Sequence, residues 1–102
     1  MKVVWTEQAL ERLQEIEDFI SQDSPQTALR FIEKLISRGV ALKTFSRLGR
    51  QVPELGSNDI REVLEGKYRI VYRITAQRLE ILTVFEGRHQ FPSDDIPPNR
   101  RS

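Results

Sequence analysis

The 102-residue sequence predicts a single α+β domain with the element order β-α-α-β-β-β, in which a helical hairpin packs on a small antiparallel sheet. Two observations predict this class. Apolar residues recur every three or four positions in the first 42 residues, which is the spacing of one buried helix face. After residue 60 the period changes to two, which is typical of strands, and residues 47–57 break the helical pattern between the two halves.

The first half of the chain predicts one short strand and two helices. The opening strand covers Lys2–Trp5, and Thr6 is a suitable N-cap for the helix that follows. The second helix begins at Ser24-Pro25, because serine caps the free amides and proline is tolerated in the first turn. About four residues join the helices, so they pack antiparallel. The predicted apolar stripes comprise Ala9, Leu10, Leu13, Ile16 and Ile20 in the first helix, and Ala28, Phe31, Ile32, Leu35, Ile36 and Leu42 in the second.

The second half predicts three strands and then an irregular end. In the strand around residues 68–74, every second residue is apolar, and arginines alternate with them. In the last strand, around residues 79–86, both alternating sets are largely apolar, which indicates a central strand covered on both faces. Three prolines follow. The predicted domain therefore spans residues 1–91, and residues 92–102 are predicted to form a loose, proline-rich tail.

Composition excludes several classes of site. The chain has no cysteine and one histidine, so neither a disulfide framework nor a thiolate or histidine-cluster metal site is expected, and no cofactor is predicted. No apolar run approaches the roughly 18 residues that cross a bilayer, so a cytoplasmic location is expected. The net charge of +1 is uneven: residues 1–42 carry 5 basic and 7 acidic residues, whereas residues 43–102 carry 11 and 8. This balance is compatible with an acidic partner but does not establish one.

A set of short motifs stands in order along the chain: Trp5 before a helix, Ser24-Pro25, Gly49-Arg50, Val52-Pro53-Glu54-Leu55, Ile60-Arg61-Glu62, Tyr68-Arg69-Ile70-Val71-Tyr72 and Gly87-Arg88. Together these motifs resemble the RelE/ParE superfamily of toxins from bacterial type II toxin-antitoxin systems, and in particular its ParE-like branch. The resemblance implies the same fold, a small neutralising antitoxin, and one of two targets, DNA gyrase or the ribosome with its mRNA.

The first alternative is a ribosome-dependent mRNA endoribonuclease. Its chemistry needs a base for the 2′-hydroxyl, a cation for the phosphate and an acid for the leaving oxygen. The resemblance places Arg69 and Arg88 where cleaving relatives keep arginines, and Glu54 and His89 are the candidate base and acid. The set looks incomplete, because Ile60 and Glu62 stand where those relatives carry two lysines and Phe91 lacks the hydroxyl of a tyrosine found there.

The second alternative, which we favour, is a ParE-like toxin that inhibits gyrase by contact and is not an enzyme. Its expected target- or antitoxin-binding surface comprises Arg50, Arg61, Arg69, Arg73, Arg88, His89 and Phe91. Arg61, Arg69 and Arg73 could instead form a solvated, ion-paired face with Glu62, Glu65 and Glu80. A toxin-like fold that binds only its antitoxin also stays open. The antitoxin is expected to supply an acidic, amphipathic segment that binds the helix pair near Leu29 and Val40.

Overall fold

The computed structural model describes residues 1–98 as a five-stranded sheet with two helices on one face. The predicted fold class is confirmed, and the sheet order is β1-β5-β4-β3-β2. The strands pair antiparallel except for β1, which runs parallel to β5 and was not predicted to do so. The elements are β1 (Lys2–Trp5), α1 (Glu7–Ser21), α2 (Pro25–Ala41), β2 (Arg50–Gln51), β3 (Ile60–Glu65), β4 (Tyr68–Ile74), β5 (Arg78–Glu86) and a 3-10 turn (Ser93–Asp95).

Both helices begin where the sequence predicts. Thr6 Oγ1 accepts a hydrogen bond from the Ala9 amide at 3.1 Å, and Ser24 Oγ accepts one from the Thr27 amide at 3.2 Å. The predicted stripes are wrong at two positions, since Leu10 and Ile36 are 52% and 41% exposed. Each helix is covered by the sheet and by its neighbour along a narrower arc than the sequence suggests, so residues at the edges of the stripes face solvent.

A close approach between α2 and the sheet explains the glycine in the middle of that helix. A Cβ on Gly39 would lie 2.6 Å from Trp5 Cζ2 and 2.8 Å from Ile81 Cδ1. Gly39 costs about 1 kcal/mol of helix propensity relative to alanine. The missing side chain lets α2 settle directly on β1 and β5, so packing offsets that cost.

The sheet buries apolar residues on both faces. Tyr72 and Ile81 belong to the main core under the helices, whereas Val71 and Phe85 belong to a smaller cluster on the opposite face. β5 lies between β1 and β4 and contributes to both clusters. The prediction of a last strand covered on both faces is confirmed.

Residues 92–98 differ from the predicted loose tail, because they pack on the face of the sheet that the helices leave open. Asp95 is 5% exposed, and Ile96 contacts the smaller apolar cluster. The Pro97 carbonyl accepts a hydrogen bond from Arg73 at 2.7 Å. Burial of apolar side chains on the sheet outweighs the irregular, proline-rich sequence. Residues 99–102 of the predicted tail lie outside the described residues.

Candidate functional site

An ion-paired cluster occupies the open face of the sheet and has Arg69 at its centre. Arg69 is 7% exposed, and all three of its guanidinium nitrogens bind carboxylates. Nε donates to Glu62 Oε1 at 2.7 Å, and Nη1 and Nη2 donate to the two oxygens of Glu54 at 3.0 and 2.7 Å. This two-pronged geometry is the strong form of an arginine–carboxylate pair. Arg69 therefore has its donors directed to residues of its own chain.

Glu62 joins the centre of this cluster to the edge of the sheet. Its side chain is fully buried and also accepts a hydrogen bond from Arg50 Nε at 2.7 Å. Arg50 lies on β2, directly across from Glu62 on β3, which explains why the chain forms this two-residue strand. Positive and negative groups thus alternate in the order Arg50, Glu62, Arg69 and Glu54. Two cations balance two carboxylates, so the cluster has no net charge.

Two phenylalanines cover the guanidinium of Arg69. Its central carbon lies 4.8 Å from the ring centroid of Phe85 and 5.7 Å from that of Phe91. The two rings meet edge to face with centroids 5.5 Å apart. Phe91, which the sequence predicts as a binding residue, is therefore half-buried and packs over the cluster.

The ion pairs shift the acid–base behaviour of the cluster. The hydrogen bonds from Arg69 lower the pKa of Glu54, and the hydrogen bonds to Glu54 raise the pKa of Arg69. A carboxylate with a lowered pKa holds a proton weakly, so Glu54 is a poor general base at neutral pH.

Two of the predicted arginines do not join this cluster. Arg61 lies opposite Tyr72 across the strands and donates from Nη1 to the Gly49 carbonyl at 3.0 Å, on the side of the sheet that the helices cover. Arg73 shares a face with Arg69 but lies four residues away along β4, roughly 13 Å. The predicted strand arginines therefore do not form one continuous docking face.

Arg88 and His89 form an exposed rim beside the cluster. The Arg88 side chain is 79% exposed, and its only carboxylate partner among residues 1–98 is Glu86, at 3.2 Å. The backbone amide of Arg88 and then its side chain lower the pKa of Glu86 by donating to it. His89 is also exposed and lines the mouth of a groove. Together with Arg50, whose side chain is 61% exposed, these are the candidate residues that another molecule can reach.

Gly87 brings this rim against the buried cluster. A Cβ at Gly87 would lie 3.1 Å from Cδ and 3.3 Å from Cγ of Arg69, so a larger residue would press on the Arg69 side chain. The Gly87 amide donates to the Lys67 carbonyl at 2.7 Å and fixes the turn. The Gly87-Arg88 pair is thus a tight turn that presents one arginine outward beside another held inside.

An apolar groove of about 770 Å³ opens next to the rim, between the helices and the end of the sheet. Phe31 and Tyr68, whose ring centroids lie 5.2 Å apart, line it. His89 and Pro92 form part of its wall, so the groove joins the helical surface to the rim.

Sequence reasoning missed a buried ion pair that holds the chain after the rim. Asp95 accepts hydrogen bonds from Arg12 at 2.8 and 2.9 Å and from Thr83 Oγ1 at 2.8 Å. Burial alone would raise the pKa of Asp95, but the bonds from Arg12 and Thr83 outweigh it and the pKa is lowered. One signal was present, because Thr83 is a polar residue among the apolar residues of β5.

Nothing in residues 1–98 resembles a metal site, since no three acidic, histidine or cysteine side chains converge there. Within the same residues, neither helix is long and apolar enough to span a bilayer.

Comparisons with known proteins identify a toxin family and a solved structure with the same fold. Residues 3–91 match the family model described as the ParE toxin of the type II toxin-antitoxin system parDE. A candidate toxin of Sinorhizobium fredii, Y4kP, is 32% identical over 91 residues, which are 89% of this chain and 93% of the relative. The solved structure of the chromosomal ParDE system from P. aeruginosa shares the fold, with a TM-score of 0.71 and 21% identity over 84% of this chain and 95% of that one.

Proposed function

We propose, since this chain belongs to the ParE family of toxins of type II toxin-antitoxin systems, that it arrests growth by binding DNA gyrase and is neutralised by a cognate antitoxin. The observation that favours gyrase rather than mRNA as the target is that Arg69 is fully ion-paired within its own chain. Its three guanidinium nitrogens are already bound to Glu54 and Glu62. Gyrase acts in the cytoplasm, so the proposal places the toxin there.

Cleavage of RNA would require free catalytic groups at this cluster. A cation must stabilise the charge that builds on the phosphate, and a base must accept the 2′-hydroxyl proton. Arg69 could hold a phosphate only by giving up its bonds to Glu54, and the buried carboxylate of Glu62 would repel that phosphate. Ile60, at one of the two positions where cleaving relatives carry lysine, is a buried core residue. These contacts support a toxin that acts by binding.

Pulse-labelling of DNA and protein synthesis within minutes of induction tests the target. We expect DNA synthesis to stop first while translation continues, and purified toxin to inhibit supercoiling by purified gyrase. Replacing Arg88 by alanine should weaken both effects, whereas Arg30→Ala, which removes an exposed arginine from α2, serves as the matched control. An early stop in translation would contradict the gyrase proposal and favour mRNA cleavage.

The antitoxin is proposed to bind the outer face of α2. Leu29 and Val40 are each 54% exposed, Ile36 is 41% exposed, and their spacing places them along one side of the helix. α2 also carries three basic residues, about 100 to 180° around the helix axis from this stripe. Their charge would attract an acidic amphipathic segment that orders on binding. They are Arg30, Lys34 and Arg38.

Isothermal titration with the product of the adjacent small reading frame tests this partner. Val40→Asp should weaken binding about tenfold or more, since it places a charge inside an apolar contact next to an acidic partner. Glu33→Gln changes a polar residue of the same helix and should bind like the wild type or slightly more tightly. Equal affinity of the Val40 variant and the wild type would exclude this face.

A further inference from the structure

We infer that Asp95 is a positioning residue of the toxin surface: bound by Arg12 and Thr83, it fixes residues 88–92 in the conformation that meets the target. The inference rests on the proposed function, because it assigns a role to a residue behind the same rim. Asp95 itself is buried and faces the protein interior, so it acts through the segment that it holds.

The contacts of Asp95 tie three distant parts of the chain together. Arg12 belongs to α1 and lies 83 residues earlier, whereas Thr83 belongs to β5. Arg12 donates from Nε and Nη2 to the two carboxylate oxygens, and the Asp95 side chain is 3% exposed. A guanidinium fork on a buried carboxylate allows essentially one arrangement, so the backbone at Asp95 is held in place relative to both elements.

The rim segment is thereby held at both of its ends. At the start, the Gly87 amide donates to Lys67 and the His89 amide donates to the Glu86 carbonyl. At the far end, Asp95 is the anchor. Between them, Phe91 packs on Phe85, and Arg88 and His89 point into solvent. Among residues 1–98, removal of the Asp95 bonds leaves the far end held only by the apolar contacts of Phe91 and Ile96 and by the hydrogen bond from Arg73 to the Pro97 carbonyl.

The main core does not depend on this anchor. The cluster under the helices contains no residue after Val84, so loss of the Asp95 contacts leaves the helix-on-sheet packing complete. A variant at Asp95 is therefore expected to fold, with a change concentrated in residues 88–96. This separates a positioning role from a general role in stability.

The experiment compares Asp95→Asn with Asp94→Asn in the full-length chain. Asp94 is the adjacent, exposed aspartate and provides a control of equal charge change. In Asp95→Asn we expect trypsin to cleave after Arg88 about tenfold faster or more, relative to cleavage after Lys43, because the loss of bonds to a charged group frees the segment. The concentration that half-inhibits gyrase should rise about tenfold or more for the same reason. Asp94→Asn should match the wild type in both assays, and circular dichroism should show native secondary structure in each variant.

Arg12→Lys should have an intermediate effect, since lysine keeps the positive charge but cannot form two parallel hydrogen bonds. Its rate of cleavage after Arg88 and its inhibition of gyrase should lie between those of the wild type and Asp95→Asn. The inference is overturned if cleavage after Arg88 is unchanged in Asp95→Asn. It is equally overturned if cleavage rises while inhibition and growth arrest stay at wild-type levels. Failure of the wild-type protein to inhibit gyrase would instead refute the proposed target, and growth arrest together with cleavage would still decide the role of Asp95.

Discussion

Two arginines next to the Gly87 turn, Arg69 and Arg88, have opposite environments. Arg69 has 8% of its side chain exposed, binds two carboxylates and lies under two aromatic rings. Arg88 has 79% of its side chain exposed and makes one long contact to Glu86. The resemblance to mRNA-cleaving relatives selects both residues equally. Their surroundings separate them: Arg69 organises the sheet, and Arg88 is available to a partner.

The largest expected loss of stability follows a substitution of Arg69, the buried member of this pair. Arg69→Ala leaves the fully buried Glu62 with only Arg50 and releases Glu54, so the free energy of unfolding should fall by about 3 kcal/mol. Urea unfolding measures it. A loss below about 1 kcal/mol would show that Arg69 is not the structural centre of the cluster.

Low pH should destabilise the folded protein, because it protonates the ion-paired carboxylates Glu54 and Asp95. The pKa values of Glu54 and Asp95 are lowered in the folded protein, so their contribution is complete above the ordinary values of 4.5 and 3.8 and is lost as the pH falls through the folded pKa values. We expect the free energy of unfolding to fall more between about pH 6 and about pH 2 than it does in a variant carrying Asp95→Asn and Glu54→Gln. Most of the difference should come from Asp95, because the Glu54 side chain is 41% exposed and its ion pair is screened by water. Parallel pH profiles for the two proteins would refute this assignment.

A single change at the edge of the cluster should have a smaller effect. Glu54→Gln removes the charge facing Arg69, but the Glu54 side chain is 41% exposed and water can replace part of the interaction. The free energy of unfolding should fall by about 1 kcal/mol. Thermal unfolding of this variant beside Glu65→Gln, which carries no ion pair within residues 1–98, gives the matched comparison. Equal stabilities would mean that Glu62 alone holds Arg69.

The smallest effect on stability, and the sharpest test of the contrast, is expected at the rim. Arg88→Ala should change the free energy of unfolding by less than about 0.5 kcal/mol, because the side chain is exposed and its ion pair is weak. The same variant should lose growth arrest on induction. If stability fell as it does in Arg69→Ala, Arg88 would belong to the scaffold.

Much of the fold could be predicted from the sequence, because periodicity and capping are local. Thr6 and Ser24 cap the helices as predicted, and the alternation in β4 correctly separates Arg69 from Tyr72. The alternation of apolar and polar residues shows on which face of a strand a side chain lies, but it does not show which other residues cover that face. Burial of Arg69 depends on the rings of Phe85 and Phe91. The segment after Phe91, whose sequence suggests a loose tail, packs on the same face of the sheet through Ile96.

The candidate site could be predicted only in part for the same reason. The sequence marks Arg50, Glu54 and Arg69 and allows an ion pair of a strand arginine with Glu62, which Arg69 forms. It does not show that Arg50 also binds Glu62, since that contact needs a two-residue strand with no periodic signal. Likewise, nothing local distinguishes Asp95, which is buried, from Asp94, which is exposed. These choices are made by tertiary packing over long sequence separations.

The parallel pairing of β1 with β5 bears on when the molecule becomes active. Lys2 lies beside Arg78 and Trp5 beside Ile81, so the first strand to be synthesised waits for nearly the last. Contacts of such high sequence separation form late and slow the folding of a domain. In a nascent chain β1 therefore stays without its partner strand until translation has passed the end of β5. The complete toxin fold, with both edges of β5 paired, therefore exists only after the whole sheet has been synthesised.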